Sequence, residues 1–271
     1  MPTLAALLRY PVKSARAERL SSAAVDAEGL RWDRQWACLD AVDGTVGSAK
    51  HPGRWAWLLE VGATTSDTGE VVLQVAGSSV VAGTPAADTA LTALVGRPVR
   101  LTTTPPATPR LHRQVPDDPD LIPEWMADVE PGSEVLSDVP GARAGRFVDF
   151  GALHLVTTGA LAQLASQAGR ADVDPVRFRP NLVIDAPRDP EPGERLRVGD
   201  LVLQVASPTV RCVVPGLDPT GATPPDRELL ATVARHHRRV VPGVGRGACF
   251  GVYAEVLEPG SVVVGDPVLS G

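Results

Sequence analysis

Residues 201–223 read LVLQVASPTVRCVVPGLDPTGAT, and this stretch indicates both the fold class and the candidate chemistry. An alternating, strand-like run precedes Cys212, and a loop rich in proline and glycine follows it. The pattern predicts that the Cys212 sulfur lies at the mouth of a sheet, where loops on a rigid scaffold commonly carry function. A thiol in that position is suited to be a soft metal ligand, a nucleophile or a sulfur carrier.

Strand patterns dominate the chain on both sides of that stretch, with glycine, proline and Asp-Gly punctuation at short intervals. The predicted strands cover residues 4–10, 36–42, 55–61, 70–76, 99–103, 153–156, 181–185, 197–206, 249–257 and 261–264. Asp43-Gly44 predicts a hairpin turn after the second of these strands. Many short strands with few helices are typical of barrels and sandwiches. The fold class is therefore predicted to be mainly β (α+β), with a few helices.

Three segments with apolar residues at helical spacing each follow a threonine, a residue type that caps helix N-termini. The predicted helices cover residues 84–95, 160–168 and 223–239, with Thr84, Thr158 and Thr223 as their caps. Between the strands, residues 104–120 (TPPATPRLHRQVPDDPD) contain five prolines and few apolar residues, which is typical of a connector. We therefore divide the chain into domains at residues 1–104 and 121–271, joined by a connector at residues 105–120.

Composition restricts the partners and the compartment. The 271 residues carry a formal net charge of −6, which argues against a nucleic-acid partner or an anionic membrane surface. Three widely spaced cysteines do not form a disulfide framework and fit a reducing compartment. No apolar window approaches the ~20 residues that span a bilayer, and the first residues lack the basic segment of a signal peptide. We expect a soluble, cytoplasmic monomer.

Basic and polar residues recur where predicted strands begin or end. They are Lys13 and Ser14, Arg34, the group Arg177, Arg179 and Asn181, and Arg211 beside Cys212. Any one of these groups alone is typical of a solvated strand edge. Together, in an acidic protein, they predict a pocket for a small anion, because arginine binds phosphate in a planar, bidentate manner and lysine acts as a point charge.

Six short motifs together resemble the MOSC family. They are YPVKS at residues 10–14, GLRWDRQW at 29–36, RFRPNLV at 177–183, VRC at 210–212 with LDPTG behind it, FGVY at 250–253 and GDPV at 265–268. More closely, they resemble its amidoxime-reducing-component branch, in which a MOSC N-terminal β-barrel domain precedes the MOSC β-barrel domain. The resemblance implies that residues 1–104 are the first of these domains and residues 121–271 the second.

The resemblance also implies a molybdopterin-type molybdenum cofactor with Cys212 as the thiolate ligand of the metal. It assigns the pterin and its phosphate to Lys13, Ser14, Arg34, Arg179 and Asn181. Further predicted cofactor contacts are Thr157 and Thr158 at a helix start, Arg211 and Tyr253. A soft thiolate suits a thiophilic metal, and Arg211 favours the ionised sulfur, so Cys212 and Arg211 are the predicted catalytic residues.

The sequence around Cys212 departs from the family pattern. Relatives often have cysteine-serine-arginine-cysteine there, whereas this chain has Thr209-Val210-Arg211-Cys212. Val210 removes a hydroxyl from the predicted site. Cys38 and Cys249 are interpreted as core residues. His51, His112 and His154 show no metal-ligand spacing, and Asp218 is interpreted as a turn former.

Three function classes remain open. In the first, which the resemblance implies, the protein reduces N-hydroxylated substrates such as amidoximes or hydroxylamine-type bases. Because the chain lacks iron–sulfur cysteines, electrons would come from a separate ferredoxin, or from a b-type cytochrome with its reductase. In the second, Cys212 carries a persulfide for sulfur transfer, and in the third the protein is a cofactor carrier. Pyridoxal phosphate is associated with the sulfurase relatives at family level only, and its desulfurase domain is not expected in these residues.

Overall fold

The computed structural model describes residues 1–139, 141–143, 145–221 and 223–271, and strands predominate in it. The strands of the first half are β1 (Thr3–Arg9), β2 (Glu18–Leu20), β3 (Ser22–Asp26), β4 (Gly29–Leu30), β5 (Ala37–Asp40), β6 (Gly62–Thr65), β7 (Val71–Val75), β8 (Ser78–Val81), β9 (Val99–Thr102) and β10 (Arg110–Gln114). The mainly β fold class is confirmed.

The second half continues in the same way. Its strands are β11 (Glu134–Asp138), β12 (Ala142–Arg143), β13 (Arg146–Phe147), β14 (Leu153–Thr157), β15 (Leu182–Asp185), β16 (Arg195–Val198), β17 (Leu201–Val210), β18 (Arg238–Val241), β19 (Gly245–Glu258), β20 (Gly260–Val263) and β21 (Val268–Ser270). The α-helices are α1 (Pro52–Trp55), α2 (Pro85–Val95), α3 (Thr158–Gln167) and α4 (Arg227–His236). Turns of 3-10 helix lie at Ala56–Glu60, Pro119–Leu121, Glu124–Met126, Pro175–Phe178 and Val214–Gly216.

The largest sheet has nine strands in the order β2-β1-β15-β14-β19-β17-β16-β21, with β18 paired to β19. The first strand enters this sheet through an antiparallel pairing in which Leu7 faces Leu182. A smaller sheet likewise joins β3 to β20, with Ser22 opposite Val263. The division at residues 104–120 stays a prediction, and both sheets contain strands from either side of it.

Two of the larger apolar clusters lie on different elements of the fold. One lies on the nine-stranded sheet and includes Leu4, Leu155, Leu203 and Val252. The other packs under helix α2, and we call it the Trp55 cluster: its central members Trp55, Leu58, Leu73 and Leu91 are fully buried. Cys38 and Cys249 are buried, which confirms their interpretation as core residues.

Residues 55–61 do not form the predicted strand. Pro52 occupies the first position of helix α1, where its missing N–H is not needed, and a 3-10 turn follows over Ala56–Glu60. The Trp55 ring lies so close to Gly47 that a Cβ there would be 2.9 Å from it. The apolar pattern reflects burial in the Trp55 cluster rather than strand pairing.

Residues 197–206 were predicted as one strand and form parts of two. Gly199 adopts φ 57° at the turn between β16 and β17, which then pair antiparallel. Residues 110–114 were assigned to the connector and form strand β10, paired with β11. Prolines at 109 and 116 flank that run without interrupting its hydrogen bonds.

Two helix starts differ from the predictions, while Thr84 caps α2 as expected. Helix α4 begins at Arg227 because Asp226, not Thr223, is its cap, accepting a hydrogen bond from Leu229 N at 3.1 Å. The N–H of Thr223 instead donates to Asp218 at 2.8 Å, which confirms Asp218 as a turn former. Helix α3 is capped by Thr157 rather than Thr158. No helix among the described residues is long and apolar enough to cross a membrane.

Candidate functional site

A cavity of about 460 Å³ opens where strand ends and loops from both halves of the chain meet. Its volume is in the range of small-molecule sites. Eight of the ten predicted site residues line it: Lys13, Ser14, Arg34, Arg179, Asn181, Arg211, Cys212 and Tyr253. The structure thus brings together basic residues that are far apart in the sequence.

Thr157 and Thr158 are not among the lining residues. Thr157 is fully buried, and its hydroxyl accepts from Ala160 N at 3.2 Å and donates to Asp189 at 2.9 Å. The Thr158 hydroxyl donates to Asp185 at 2.7 Å. These contacts use both hydroxyls, and neither threonine lines the cavity.

Two lysines share one carboxylate in the cavity wall. Lys13 Nζ lies 2.7 Å from Asp149 Oδ1, and Lys50 Nζ lies 2.8 Å from the same oxygen. Burial lowers the pKa of Lys50 to about 8, although Asp149 acts in the opposite direction. Burial alone would raise the pKa of Asp149, but the two ammonium groups hold it well below its usual range. The trio retains one positive charge when all three groups are ionised.

Two arginines stack on the buried ring of Tyr10. The Arg179 guanidinium lies 4.2 Å from the ring centroid and that of Arg34 lies 4.7 Å from it. Arg34 is paired with Asp33 and also donates to the Arg179 carbonyl at 3.0 Å. Arg179 donates to the Ala15 carbonyl at 2.8 Å and has no carboxylate within ion-pair distance in the part of the chain that the structure describes. Burial lowers the pKa of Arg179 to about 10.

The backbone around this site is held in an uncommon conformation. Ser14, Arg34 and Arg179 have φ values of 64°, 48° and 57°, in the left-handed region that non-glycine residues rarely adopt. Such a conformation costs roughly 1–3 kcal/mol per residue and occurs mostly at functional sites. The Ser14 hydroxyl accepts from Ala49 N at 3.0 Å and so fixes the loop that carries Lys50.

Cys212 lies just beyond the end of β17, partly exposed to the cavity. The N–H of the preceding Arg211 donates to the Ala248 carbonyl at 2.8 Å, which holds the start of this loop against β19. The Arg211 side chain donates to the Phe178 carbonyl at 2.6 Å and lies 5.3 Å from the Phe178 ring centroid. These contacts fix the Arg211 backbone and guanidinium, and both Arg211 and Cys212 line the cavity.

Comparisons with known proteins assign two domains to the chain. Residues 1–128 match the MOSC N-terminal beta barrel domain and residues 143–269 match the MOSC domain. The chain belongs to the MOSC family. MOSC domains are associated with binding of the molybdenum cofactor.

One curated relative of this MOSC protein is human mitochondrial amidoxime-reducing component 1. It is 28% identical over 128 residues, a match that spans 45% of this chain and 37% of the relative. Among solved structures, the YUAD protein from Bacillus subtilis is 13% identical with a TM-score of 0.46, covering 99% of this chain and 94% of that one. YiiM from Geobacillus stearothermophilus is 17% identical with a TM-score of 0.34, covering 45% and 54%.

The residues of this MOSC protein fit an anionic, sulfur-bearing cofactor. Buried polar atoms of Arg179, Arg211 and His154 that belong to cavity-lining residues have no hydrogen-bond partner among the described residues. Buried donors of this kind are costly unless a ligand satisfies them. No cluster of three or more histidine, cysteine or acidic side chains in the described ranges is arranged to hold a metal. A metal here would therefore share Cys212 with ligands from a cofactor.

Sequence reasoning missed Lys50, Asp149 and His154, all of which line the cavity of this MOSC protein. His154 is buried, and burial together with the charge of Arg211 holds its pKa well below the usual range, so the ring is neutral. None of the three occurs in a motif with a fixed spacing. The signal that identifies them is their contact with residues remote in sequence, such as Lys13 with Asp149.

Proposed function

We propose that this protein binds a molybdopterin-type molybdenum cofactor in the cavity and reduces N-hydroxylated substrates, such as amidoximes or hydroxylamine-type bases. The observation that carries the proposal is the position of Cys212 in a cavity where the guanidiniums of Arg179 and Arg211 have no carboxylate partner among the described residues. The human relative, by its name an amidoxime-reducing component, supports the substrate class.

Each part of the cavity has a separate role in this proposal. Arg34, Arg179 and Lys13 would hold the cofactor's phosphate, since buried cations bind such a group strongly. Cys212 would be the protein's ligand to the metal, and Arg211 lines the cavity beside it. When bound, the cofactor supplies the oxygen-accepting metal and its two-electron chemistry.

Reduction of an amidoxime to an amidine consumes two electrons and two protons and releases water. Lys50 is suited to deliver a proton, because a pKa of about 8 lets its ammonium donate near neutral pH. His154 is neutral and its Nε2 has no partner among the described residues, so it is suited to orient a bound group. The apolar side chains of Trp125, Phe150 and Val244 would line the part of the cavity that receives the substrate.

The electrons are proposed to come from a separate protein, a ferredoxin or a b-type cytochrome with its reductase. Redox partners of this kind use small, transient interfaces guided by charge. Turnover with the partner should therefore fall as salt rises, because charges are screened over a Debye length of about 8–10 Å.

A donor experiment tests the proposal. The molybdenum-loaded protein should reduce benzamidoxime with reduced methyl viologen and stay inert with NADH or NADPH alone. Turnover with a nicotinamide alone would contradict the need for a separate donor. Fully loaded protein that is inactive with every donor would overturn the reductase assignment in favour of a cofactor carrier. Cyanide-labile sulfur on Cys212 would instead indicate sulfur transfer.

A further inference from the structure

The two ends of the cavity differ in how their cations are held. At the inner end, Lys13 and Lys50 share Asp149, and Arg34 is paired with Asp33. The outer end is marked by the indole of Trp125, which is 46% exposed, and by Phe150, which is 51% exposed. Both aromatic side chains line the same cavity as Cys212.

Arg113 lies at this outer end, on strand β10. Its guanidinium lies 5.3 Å from the Trp125 ring centroid, and its Nε donates to Ser137 Oγ at 3.5 Å. The next residue, Gln114, donates its N–H to the Lys50 carbonyl at 2.9 Å, which ties β10 to the loop that carries Lys50. Arg113 is therefore oriented by a ring and a hydroxyl while its strand is anchored to the inner end.

No carboxylate lies within ion-pair distance of Arg113 among the described residues, and its terminal nitrogens have no hydrogen-bond partner there. Asp138 also lines the cavity, but its partner is Arg110, at 3.9 Å. The Arg113 guanidinium is half-buried and lies 5.3 Å from an aromatic ring centroid. With both terminal nitrogens free among the described residues, it presents the fork that binds a carboxylate in a bidentate manner.

We infer that Arg113, with Trp125 and Ser137, forms an anion subsite that selects N-hydroxylated substrates bearing a carboxylate. The carboxylate would pair with Arg113, a flat or apolar spacer would pack on Trp125, and the N-hydroxyl group would point inward toward Cys212. The inference rests on the proposed function, whose substrate class it makes specific.

Paired probes test this subsite with the molybdenum-loaded protein. The value of kcat/KM for 4-carboxybenzamidoxime should exceed that for benzamidoxime. Arg113→Gln should lower this ratio roughly 10- to 100-fold, the range expected for a charge-assisted hydrogen-bonded pair. Arg110→Gln is the matched control, because Arg110 lies on the same strand, is exposed and does not line the cavity. The control should keep the wild-type ratio.

A binding measurement supplies a readout that does not depend on turnover. Calorimetric titration with 4-carboxybenzamidine should show tighter binding than with benzamidine, and Arg113→Gln should remove the difference. If both amidoximes are reduced equally well and Arg113→Gln changes neither ratio nor binding, the subsite is refuted and the proposed function stands. If the carboxylate probe binds through Arg113 but neither amidoxime is reduced, the subsite stands and the proposed function fails.

The cofactor provides the remaining alternative, since a nucleotide-extended pterin would place a second phosphate in the cavity. Arg113→Gln should retain the wild-type content of molybdenum and pterin. Loss of cofactor from this variant, together with a nucleotide released from the wild-type protein, would assign Arg113 to the cofactor and overturn the inference.

Discussion

The Trp55 cluster and the inner end of the cavity differ in the side chains that they bury: the first is apolar and the second is charged. The first packs neutral side chains such as Leu73 and Leu91, which gain free energy when they leave water. The second contains the cations of Lys13 and Arg179, whose pKa values are lowered because burial costs more free energy than their partners return. The contrast indicates that the Trp55 cluster contributes to the stability of the fold, whereas the charged side chains contribute to ligand binding.

The largest expected effect separates binding from folding at Cys212. Cys212→Ala should abolish retention of pterin-bound molybdenum, because the variant lacks the protein's thiolate ligand. Its unfolding midpoint without cofactor should stay near that of wild type, since the thiol is partly exposed. Metal analysis and molybdenum X-ray absorption check this. A variant that retained molybdenum in unchanged coordination would refute the ligand assignment.

A substitution in the Trp55 cluster should do the reverse. Leu73→Ala removes a fully buried side chain and should lower the free energy of unfolding by about 2–5 kcal/mol. Denaturant unfolding of the cofactor-free protein measures this. The folded fraction of Leu73→Ala should still bind the molybdenum cofactor. A cost below about 1 kcal/mol would show that the cluster is not the stabilising core.

Arg179→Met should weaken cofactor retention while leaving stability nearly unchanged. Replacing a buried, unpaired charge by an apolar side chain is commonly neutral or stabilising. The free energy of unfolding without cofactor should therefore change by no more than about 1 kcal/mol. The control is Arg188→Met, on an exposed side chain outside the cavity lining. If Arg179→Met unfolded the protein and kept its cofactor, the contrast between the two regions would be wrong.

The smallest effect concerns the proton on Lys50. Its pKa is lowered to about 8 by burial, and Asp149 raises it against that effect, so Asp149→Asn should lower it further. Nuclear magnetic resonance of ¹³C-labelled lysine Cε in the cofactor-free protein measures both values. In the unfolded chain the pKa of Lys50 is 10.5, so the unfolded state holds the proton more tightly than the folded state. Burial of the charged lysine therefore lowers the stability of the fold by its full amount below pH 8, and this loss decreases as the pH rises toward 10.5. Wild type should gain stability relative to Lys50→Met over that interval.

Local patterns predicted the fold class and many elements. The strands at residues 4–10, 70–76 and 99–103 are confirmed as Thr3–Arg9, Val71–Val75 and Val99–Thr102, because their periodicity matches the pairing that buries them. The strand predicted at residues 55–61 is wrong, since the same apolar pattern suits a short helix that inserts Trp55 into a core. Periodicity over seven residues does not distinguish the two.

The site was predicted only where residues stood in motifs. Lys13, Arg34 and Arg179 line the cavity, and their roles toward a cofactor stay proposals. Lys50 and Asp149 do not stand in a motif. Their place in the site depends on an ion pair between residues about a hundred positions apart, which local sequence patterns do not reveal. Thr157 and Thr158 were predicted as cofactor contacts because they stand at a helix start. In the structure the Thr157 hydroxyl caps the helix and the Thr158 hydroxyl donates to a carboxylate.

The placement of strand β1 also has a consequence for synthesis on the ribosome. Leu7 pairs with Leu20 on one side and with Leu182 on the other, so β1 gains its second neighbour only after residue 185 has been made. Contacts of such long sequence separation slow folding and leave a strand edge open in the nascent chain. Strand β1 is thus made before most of the strands described here and fully paired only after β15.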